Sequence, residues 1–306
     1  MNLQEYALIA FTILTQMAVG SFVVLELAHL YAARKTNAEE ADRLSDRALW
    51  AIVPILAFGL IASLFHLGDP LGAYRAVNNF GSSWLSREIT FGVGFTVLLV
   101  AFAYLQWRKL ASPAVRSGLA WITALVGLAL VYSMGNVYLL PTQPAWNTWV
   151  TPVSFFTTTF LLGVLAMGVA FVANYARLRR KQSKAADVQA QLLRDVMRWF
   201  ALAAVVLLGV ELVTLPFYLA ALSAGPAAAV AAAQLAVGPF SWALMLRLAL
   251  VFLGAGVVAL FLYQNALSPG REKLVGNLAY TAFALVLVAE VLGRFLFYAT
   301  HVGIGI

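Results

Sequence analysis

Eight long apolar segments constrain this chain more than any other feature of its sequence. The hydrocarbon core of a bilayer is about 30 Å thick, and an α-helix needs roughly 20 apolar residues to cross it. Because the segments are continuous and do not alternate with polar residues, they predict helices rather than barrel strands. We expect an all-α integral membrane protein, a single polytopic domain over residues 1–306 with eight transmembrane helices in two four-helix bundles. The predicted spans are Tyr6–Tyr31, Ala48–Leu67, Ile89–Trp107, Ser117–Leu140, Pro152–Asn174, Trp199–Leu222, Pro239–Tyr263 and Leu274–Tyr298.

Composition agrees with this class and excludes several others. Of the 306 residues, 62% are hydrophobic and 11% are charged, with a mean hydropathy of +0.86, whereas a soluble protein carries about 25% charged residues. A cytosolic enzyme, a nucleic-acid-binding domain and a disordered chain are therefore excluded, despite the net charge of +7. The chain has no Cys, which excludes disulfides and thiolate-bound clusters. A cleavable secretory signal is not expected, because no basic residue precedes Arg34.

The distribution of Lys and Arg predicts how the chain is oriented. Of 20 such residues, sixteen lie in the odd-numbered loops between predicted spans, two lie in the second loop, and two lie inside spans. Basic residues collect in loops on the cytoplasmic side of a membrane. We therefore expect cytoplasmic odd-numbered loops, periplasmic even-numbered loops and two periplasmic termini, in a bacterial inner membrane.

A few titratable residues lie inside the predicted spans, where charge is costly and commonly functional. They are Glu26, His29, Glu211, Arg247, Glu290 and Arg294. Glu290 and Arg294 are four residues apart, which predicts an intrahelical ion pair, and Arg247 lies at a similar depth. We expect these three to form a buried polar cluster. Its charges either pair only with one another or line a cavity for a ligand or protons. Glu211 has no cation within its own helix.

The second loop is the most polar of the predicted periplasmic segments. It begins with His66, and Gly68-Asp69-Pro70 ends the helix just behind that residue. His66 is therefore expected at the membrane interface, where an imidazole exchanges protons near neutral pH. Ser86 is predicted to cap the third span, with Glu88 in its first turn. Glu88 either interacts favourably with the helix dipole or, together with His66, flanks a cleft at the outer surface.

The chain has three His residues, and their positions argue against a haem. His29 is predicted near the cytoplasmic face, His66 near the periplasmic face, and His301 in the C-terminal tail. A b-type haem in a helical bundle takes axial ligands at matching depth, and no such pair of His residues is evident. We expect neither haem nor a metal site in this chain, and we expect His29 to pair with Glu26, one helical turn away.

Four segments carry a family resemblance. Three lie in and around the second loop, and one closes the last span: Phe65-His66-Leu67-Gly68-Asp69-Pro70, Ala73-Tyr74-Arg75-Ala76, Ser83-Trp84-Leu85-Ser86-Arg87-Glu88 and Glu290-Val291-Leu292-Gly293-Arg294-Phe295-Leu296-Phe297-Tyr298. Together they resemble the membrane anchor subunit of dimethyl sulfoxide reductase and its relatives. Eight spans and an outer N-terminus match that family as well, so the resemblance covers essentially the whole chain.

The resemblance implies a haem-free subunit that handles menaquinol or ubiquinol for a molybdopterin oxidoreductase. Such an anchor holds an iron–sulfur electron-transfer subunit and a molybdopterin catalytic subunit at the membrane, here on the periplasmic face, so the metals belong to the partners. The family's proton-handling His and acidic residue correspond to His66 and Glu88. Further residues of the second loop are expected to contact the quinol or the iron–sulfur subunit, namely Asp69, Arg75, Trp84 and Arg87.

Three alternatives stay open at this point. A related anchor serves sulfite dehydrogenase, in which electrons flow from sulfite to quinone. A secondary transporter or channel would also explain charged residues inside spans, although no pair of Gly- or Pro-broken spans occurs at matching positions. A purely structural anchor would lack quinol chemistry. Co-purification of partners separates the anchor from the transporter, and oxidation of a quinol analogue separates it from the structural anchor.

Overall fold

The computed structural model describes residues 3–65, 73–183 and 185–304 and consists, over these ranges, of helices and their connections. Eight helical spans within the described ranges are long and apolar enough to cross a membrane, which confirms the predicted fold class and number of spans. They are α1 (Leu3–Lys35), α2 (Ala38–Leu64), α3 (Trp84–Arg108), α4 (Pro113–Val137), α5 (Val150–Arg180), α6 (Ala186–Ser223), the α8–α9 span (Ser241–Asn265) and α10 (Glu272–Ala299).

Shorter elements connect or interrupt these spans. A 3-10 helix (Ala73–Asn79) precedes α3, and α7 (Ala227–Val237) lies between α6 and α8. The α8–α9 span consists of α8 (Ser241–Val251), a π-helical segment (Phe252–Val258) and α9 (Ala259–Asn265). Helix α8 packs against α10, whereas α9 packs mainly against α6. Because the two halves of this span pack against different helices, α6 and α8 diverge toward the end of the bundle where α8 begins.

The helices extend beyond the apolar segments that predict them. Helix α2 begins at Ala38, where Asn37 caps it, ten residues before the predicted start. The additional turns are polar, and ion pairs between helices hold them. Lys109, for example, contacts Asp42 and Asp46 at 2.7 and 2.8 Å. Hydropathy marks only the part of a helix that lipid surrounds, so it does not predict these solvated turns.

The two ends of the bundle differ in their elements and their charge. At one end, here called the terminal face, α1 begins, α10 ends, and the second loop leads into α3. At the opposite end, the connector face, lie the short α1–α2, α3–α4 and α5–α6 connections. Ion pairs of the connector face include Lys35 with Asp195 and Arg194 with Glu272. The terminal face therefore carries the long connections and the connector face carries most of the charge.

Helices α1 and α5 form the centre of the bundle. In their most apolar stretches, 83% of the residues of α1 and 78% of those of α5 are buried, against 39% or less in the other spans. Helices α2 and α4 pack on α1, α6 and α10 pack on α5, and α3 packs on α4. The first four spans and the last four therefore meet along α1 and α5, each group with its first helix at the centre.

Two glycines allow α1 and α5 to approach this closely. A Cβ at Gly20 would overlap the carbonyl oxygen of Thr159, and a Cβ at Gly163 would overlap the backbone of Gly20. Small residues let membrane helices come together and gain dispersion contacts along their backbones. Neither position therefore accepts a side chain unless the two central helices move apart.

We expect Gly20→Ala to lower the free energy of unfolding by at least about 1–3 kcal/mol, the usual cost of forcing extra atoms into a packed core. Gly209→Ala is the matched control, because Gly209 also lies in a span and nothing is within 4 Å of its Cβ position. Thermal unfolding of the purified protein in detergent measures both variants. Equal stability of the two proteins would contradict the close contact between α1 and α5.

Candidate functional site

The start of α3 differs from the sequence prediction and changes the position of Glu88. Ser83 is the N-cap, and its hydroxyl accepts a hydrogen bond from the backbone N–H of Ser86 (3.4 Å). The prediction that Ser86 caps this helix is wrong, because Ser83 supplies the same hydroxyl one turn earlier. Glu88 consequently lies in the second turn of α3, beyond the first turn where the helix dipole acts most strongly. The dipole therefore does not account for an acid at this position.

Arg87 and Trp84 fix the loop that leads into α3. Arg87 donates from Nε to the carbonyl oxygen of Phe80 (3.0 Å) and from Nη2 to that of Gly81 (2.8 Å). Its guanidinium lies over the Trp84 ring at 4.2 Å, and that ring meets Tyr132 edge-on at 5.5 Å. These two residues therefore hold the loop backbone at the terminal face, next to Glu88.

Two other residues predicted for the site, His66 and Asp69, lie outside the described residues. Helix α2 ends at Leu64, and Arg75 is an exposed residue of the 3-10 helix. The pairing of His66 with Glu88 across one cleft therefore stays a prediction.

A pair of tyrosine hydroxyls lies at the terminal face, where α4 and α10 end. Tyr138 directly follows α4, Tyr298 is in the last turn of α10, and their hydroxyl oxygens are 2.6 Å apart. Trp146 and Phe297 enclose the Tyr138 ring at 5.3 and 5.1 Å between centroids. Helix α3, which carries Glu88, packs on α4, and Trp84, one helical turn before Glu88, meets Tyr132 of α4. Sequence reasoning missed this pair, because its members are 160 positions apart and each alone is typical of a membrane interface.

A group of ionisable side chains is buried in the half of the bundle nearer the terminal face. Arg247 of α8 approaches Glu211 of α6 (Nη2 to Oε1, 3.2 Å) and Glu290 of α10 (Nη2 to Oε1, 3.8 Å). Thr158 of α5 donates from its hydroxyl to Oε2 of Glu290 (2.5 Å). Arg247 thus supplies the cation that Glu211 lacks within its own helix. Glu211, Arg247, Glu290 and Arg294 of α10 are together called the buried polar cluster.

Arg294 is not paired in the way that its sequence position predicts. The prediction of an intrahelical ion pair between Glu290 and Arg294 is wrong. The Arg294 guanidinium instead donates from Nη2 to Oε1 of Gln16 (3.0 Å) and lies over the Phe155 ring at 3.8 Å. An arginine over an aromatic face gains a cation–π interaction. The guanidinium is thereby directed toward α1 and α5, whereas the carboxylate of Glu290 contacts Thr158 and Arg247.

A cavity of about 130 Å³, here called the polar cavity, adjoins the buried polar cluster. All four charged side chains line it, and Leu215 of α6 and Leu244 of α8 contribute to its apolar wall. In the part of the protein that is described, four buried polar atoms of this region have no hydrogen-bond partner: Gln16 Nε2, Glu211 Oε2, Arg247 Nε and Glu290 Oε1. Buried polar atoms are nearly always hydrogen-bonded, and about 10–15 Å³ suffices for one water. The polar cavity is therefore suited to hold water.

A second and smaller cavity, of about 60 Å³, lies toward the connector face. Glu26, His29 and Asp42 line it, and Nδ1 of His29 is 2.9 Å from the hydroxyl oxygen of Ser45. In the described ranges His29 and Glu26 form no ion pair, so the predicted pairing of these two residues is wrong, and Nδ1 of His29 contacts Ser45 instead. These residues belong to the opposite end of the bundle from Glu88.

Metal ligands do not converge in the described ranges, where no group of three or more His, Asp or Glu residues is placed to hold an ion. His301, the one His described at the terminal face, stacks on Trp146 at 4.7 Å, and its Nδ1 is 2.5 Å from the carbonyl oxygen of Tyr298. That ring therefore packs the end of α10 against the loop after α4.

The fold and the site together define a class: a polytopic α-helical membrane protein with buried acids and hydroxyls near its terminal face. Comparison with protein families assigns the particular family. Residues 1–300 match the dimethyl sulfoxide reductase anchor subunit family (DmsC), and the chain belongs to this family.

Individual relatives agree with this assignment. The protein is 32% identical to the C chain of anaerobic dimethyl sulfoxide reductase from Escherichia coli K12, over 98% of its own length and 96% of the relative. It is 31% identical to the protein of the same name from Haemophilus influenzae, over 99% and 97%. A more distant match, 28% identical over 56% of this protein and 54% of the relative, is the C subunit of sulfite dehydrogenase from Allochromatium vinosum. The resemblance noted in the sequence is therefore confirmed, and the protein is an anchor subunit of the dimethyl sulfoxide reductase type.

Proposed function

We propose that this chain binds quinol and passes its electrons to an iron–sulfur subunit, as the membrane anchor of a molybdopterin oxidoreductase complex. The observation that carries the proposal is Glu88, an acid for which the described residues supply neither a first-turn dipole nor an ion pair. It lies near the terminal face of an anchor-family protein, the face at which the Tyr138–Tyr298 hydroxyl pair joins the ends of α4 and α10. A carboxylate so placed is suited to accept a proton from a ring hydroxyl.

The chemistry requires little more of this chain. Oxidation of a quinol releases two protons and two electrons. Glu88 and His66 are the proposed bases, because a carboxylate or an imidazole within hydrogen-bond reach can take a proton as the hydroxyl loses its electrons. The electrons pass to an iron–sulfur cluster of the partner, since this chain has no Cys with which to hold one. The substrate is menaquinol or ubiquinol, whose isoprenoid tail stays in the lipid.

The proposed complex also has an orientation. The iron–sulfur and molybdopterin subunits dock on the terminal face, where the loop held by Arg87 and Trp84 meets Glu88. Asp69 and Arg75 are the proposed contacts to quinol or partner in the same loop. The charge distribution supports a bacterial inner membrane with the connector face in the cytoplasm and both termini in the periplasm, because sixteen of 20 Lys and Arg residues lie in the predicted odd-numbered loops.

A quinone-reducing direction is the second candidate. It is favoured by the similarity to the sulfite dehydrogenase relative, which extends over about half of this protein. The same bases would then donate protons to the reduced quinone, and electrons would arrive from the iron–sulfur subunit. The direction follows from the reaction that the molybdopterin subunit catalyses.

Isolation of the native complex in mild detergent tests this function. We expect mass spectrometry to find two partner subunits, with iron and molybdenum, and a quinone that co-purifies with them. The complex should oxidise a reduced naphthoquinone analogue when dimethyl sulfoxide is the acceptor, or reduce the quinone when sulfite is the donor. A chain that purifies without partners, or a complete complex that does not react with quinone in either direction, would contradict the proposal.

A further inference from the structure

Three buried residues form one stripe along α10. Glu290, Arg294 and Tyr298 are spaced four apart, so they lie on one face of the helix, and they are 2%, 5% and 2% exposed. At one end of the stripe the Tyr298 hydroxyl meets Tyr138, which directly follows α4, the helix on which the Glu88 helix α3 packs. At the other end Glu290 lines the polar cavity. The stripe therefore connects the proposed quinol base to a second acid within the bundle.

The tyrosine pair is chemically able to pass a proton. Each hydroxyl is both a donor and an acceptor. The two hydroxyl oxygens are 2.6 Å apart, so one hydroxyl donates a hydrogen bond to the other. The hydrogen of the accepting hydroxyl takes no part in that hydrogen bond. Such a pair takes a proton at one end and releases one at the other while each oxygen keeps its protonation state. The surrounding rings of Trp146 and Phe297 hold the two oxygens together.

The buried polar cluster is an incomplete ion network, as a proton acceptor requires. Glu290 keeps Oε1 and Glu211 keeps Oε2 without a hydrogen bond, although both residues are more than nine-tenths buried. Arg247 approaches both carboxylates and compensates their charge. A cluster that only stabilised the fold would use these oxygens for direct pairing, since a buried unsatisfied polar atom is costly. Here the free oxygens lie at the polar cavity, where water can reach them.

We propose that Glu290, with Glu211, is a second proton-accepting site of the quinol reaction, connected to Glu88 by the Tyr138–Tyr298 pair and by water in the polar cavity. This inference rests on the proposed function. It assigns to the last four spans a part in the chemistry that the second loop begins.

The proposed transfer balances as follows. Quinol gives two electrons to the partner's iron–sulfur cluster and one proton to the Glu88 carboxylate. Glu88 gives that proton through water to one tyrosine oxygen, and the pair releases the other tyrosine proton to water that leads to the polar cavity, which is lined by Phe297, the ring packed against both tyrosines. That water protonates Glu290, and Arg294, which lines the cavity between Tyr298 and Glu290, orients the water without losing its own proton. Glu88 is then ionised again for the next turnover, and the second proton of the quinol goes to the other proposed base, His66.

Conservative substitutions on α10 test the transfer in the intact complex. Tyr298→Phe removes one oxygen, and Glu290→Gln removes the acid while keeping its shape. Tyr280→Phe and Glu272→Gln are the matched controls: each lies on α10 eighteen residues before its counterpart, Tyr280 is exposed, and Glu272 pairs with Arg194 toward the connector face. We expect both test variants to lower kcat for the reduced naphthoquinone analogue at least about tenfold, with KM nearly unchanged. We expect both controls to stay within about twofold of the unmodified complex.

Two further measurements separate proton transfer from a merely structural role. The solvent deuterium isotope effect on kcat should increase in Tyr298→Phe, because proton movement becomes slower than the other steps. In infrared difference spectra recorded on addition of the quinol analogue, the protonated-carboxyl band of the unmodified complex should change in frequency or intensity in Glu290→Gln, because the proton then stays on Glu88. This spectrum does not depend on turnover by a variant that assembles poorly. Electron transfer from an artificial donor to the catalytic subunit checks assembly.

The outcomes distinguish this inference from the proposed function. If the unmodified complex oxidises quinol while Tyr298→Phe and Glu290→Gln match their controls in kcat, isotope effect and infrared spectrum, the transfer is wrong and the function stands. A carboxyl band that is identical in Glu290→Gln and in the unmodified complex also overturns the assignment of Glu290. If the complete unmodified complex does not react with quinol, both fall together.

Discussion

A complex that carries His66→Ala is expected to lose quinol oxidation by about 100-fold or more while it stays assembled. The expectation follows from the chemistry, because removal of a general base typically costs 10²- to 10⁴-fold in rate. Reduced naphthoquinone analogue serves as donor and dimethyl sulfoxide as acceptor in the assay. An artificial donor that reduces the partner subunits directly should give the activity of the unmodified complex, since the partners do not depend on this imidazole.

His29→Gln is the matched control for this substitution. His29 lies at the second cavity toward the connector face, hydrogen-bonded to Ser45, and it has no part in the proposed reaction. We expect its quinol oxidation to stay within about twofold of the unmodified complex. Normal quinol turnover in His66→Ala would remove His66 from the mechanism and leave Glu88 as the remaining base.

The fold was largely predictable, because one physical requirement decides it. A backbone in lipid must satisfy its own hydrogen bonds, so eight apolar segments of sufficient length predict eight helices, and eight spans are present in the described ranges. The helix ends were less predictable, since their polar turns depend on partners from other helices. Asn37 caps α2 ahead of the apolar segment, and Lys109 joins the start of α2 to the end of α3.

The site was predictable only where its members are close in sequence. The segment around Glu88 carries a family pattern, so the sequence singles it out. The spacing of Glu290 and Arg294 predicts that they pair with each other, but each has a better partner on another helix, Arg247 and Gln16. An i, i+4 pair gains only about 0.2–0.5 kcal/mol, which is too little to decide a partner in a packed interior. The tyrosine pair has no local signal, because its contact exists only after α4 and α10 come together.

The buried polar cluster explains why the largest loss of stability is expected from Arg247→Leu. The Arg247 side chain is the cation nearest to both Glu211 (8% exposed) and Glu290 (2% exposed). Removal of one partner from a buried ion pair leaves an uncompensated charge and typically costs about 3–5 kcal/mol. Titration of the purified protein with a denaturing detergent measures this loss. Arg179→Leu is the control, because Arg179 is an exposed residue near the end of α5.

The double variant Glu211→Leu/Arg247→Leu then shows whether the cost is one of uncompensated charge. Replacement of both members of a buried ion pair by apolar residues is often neutral or stabilising. We therefore expect the double variant to recover at least half of the stability lost in Arg247→Leu, with Glu290 still held by Thr158. If the double variant loses as much stability as Glu211→Leu and Arg247→Leu lose together when measured singly, Arg247 contributes by packing alone. Glu211 and Glu290 are then not held as ions by that arginine. In that case the acids would already be protonated, and they would have no capacity left to accept a proton from the quinol.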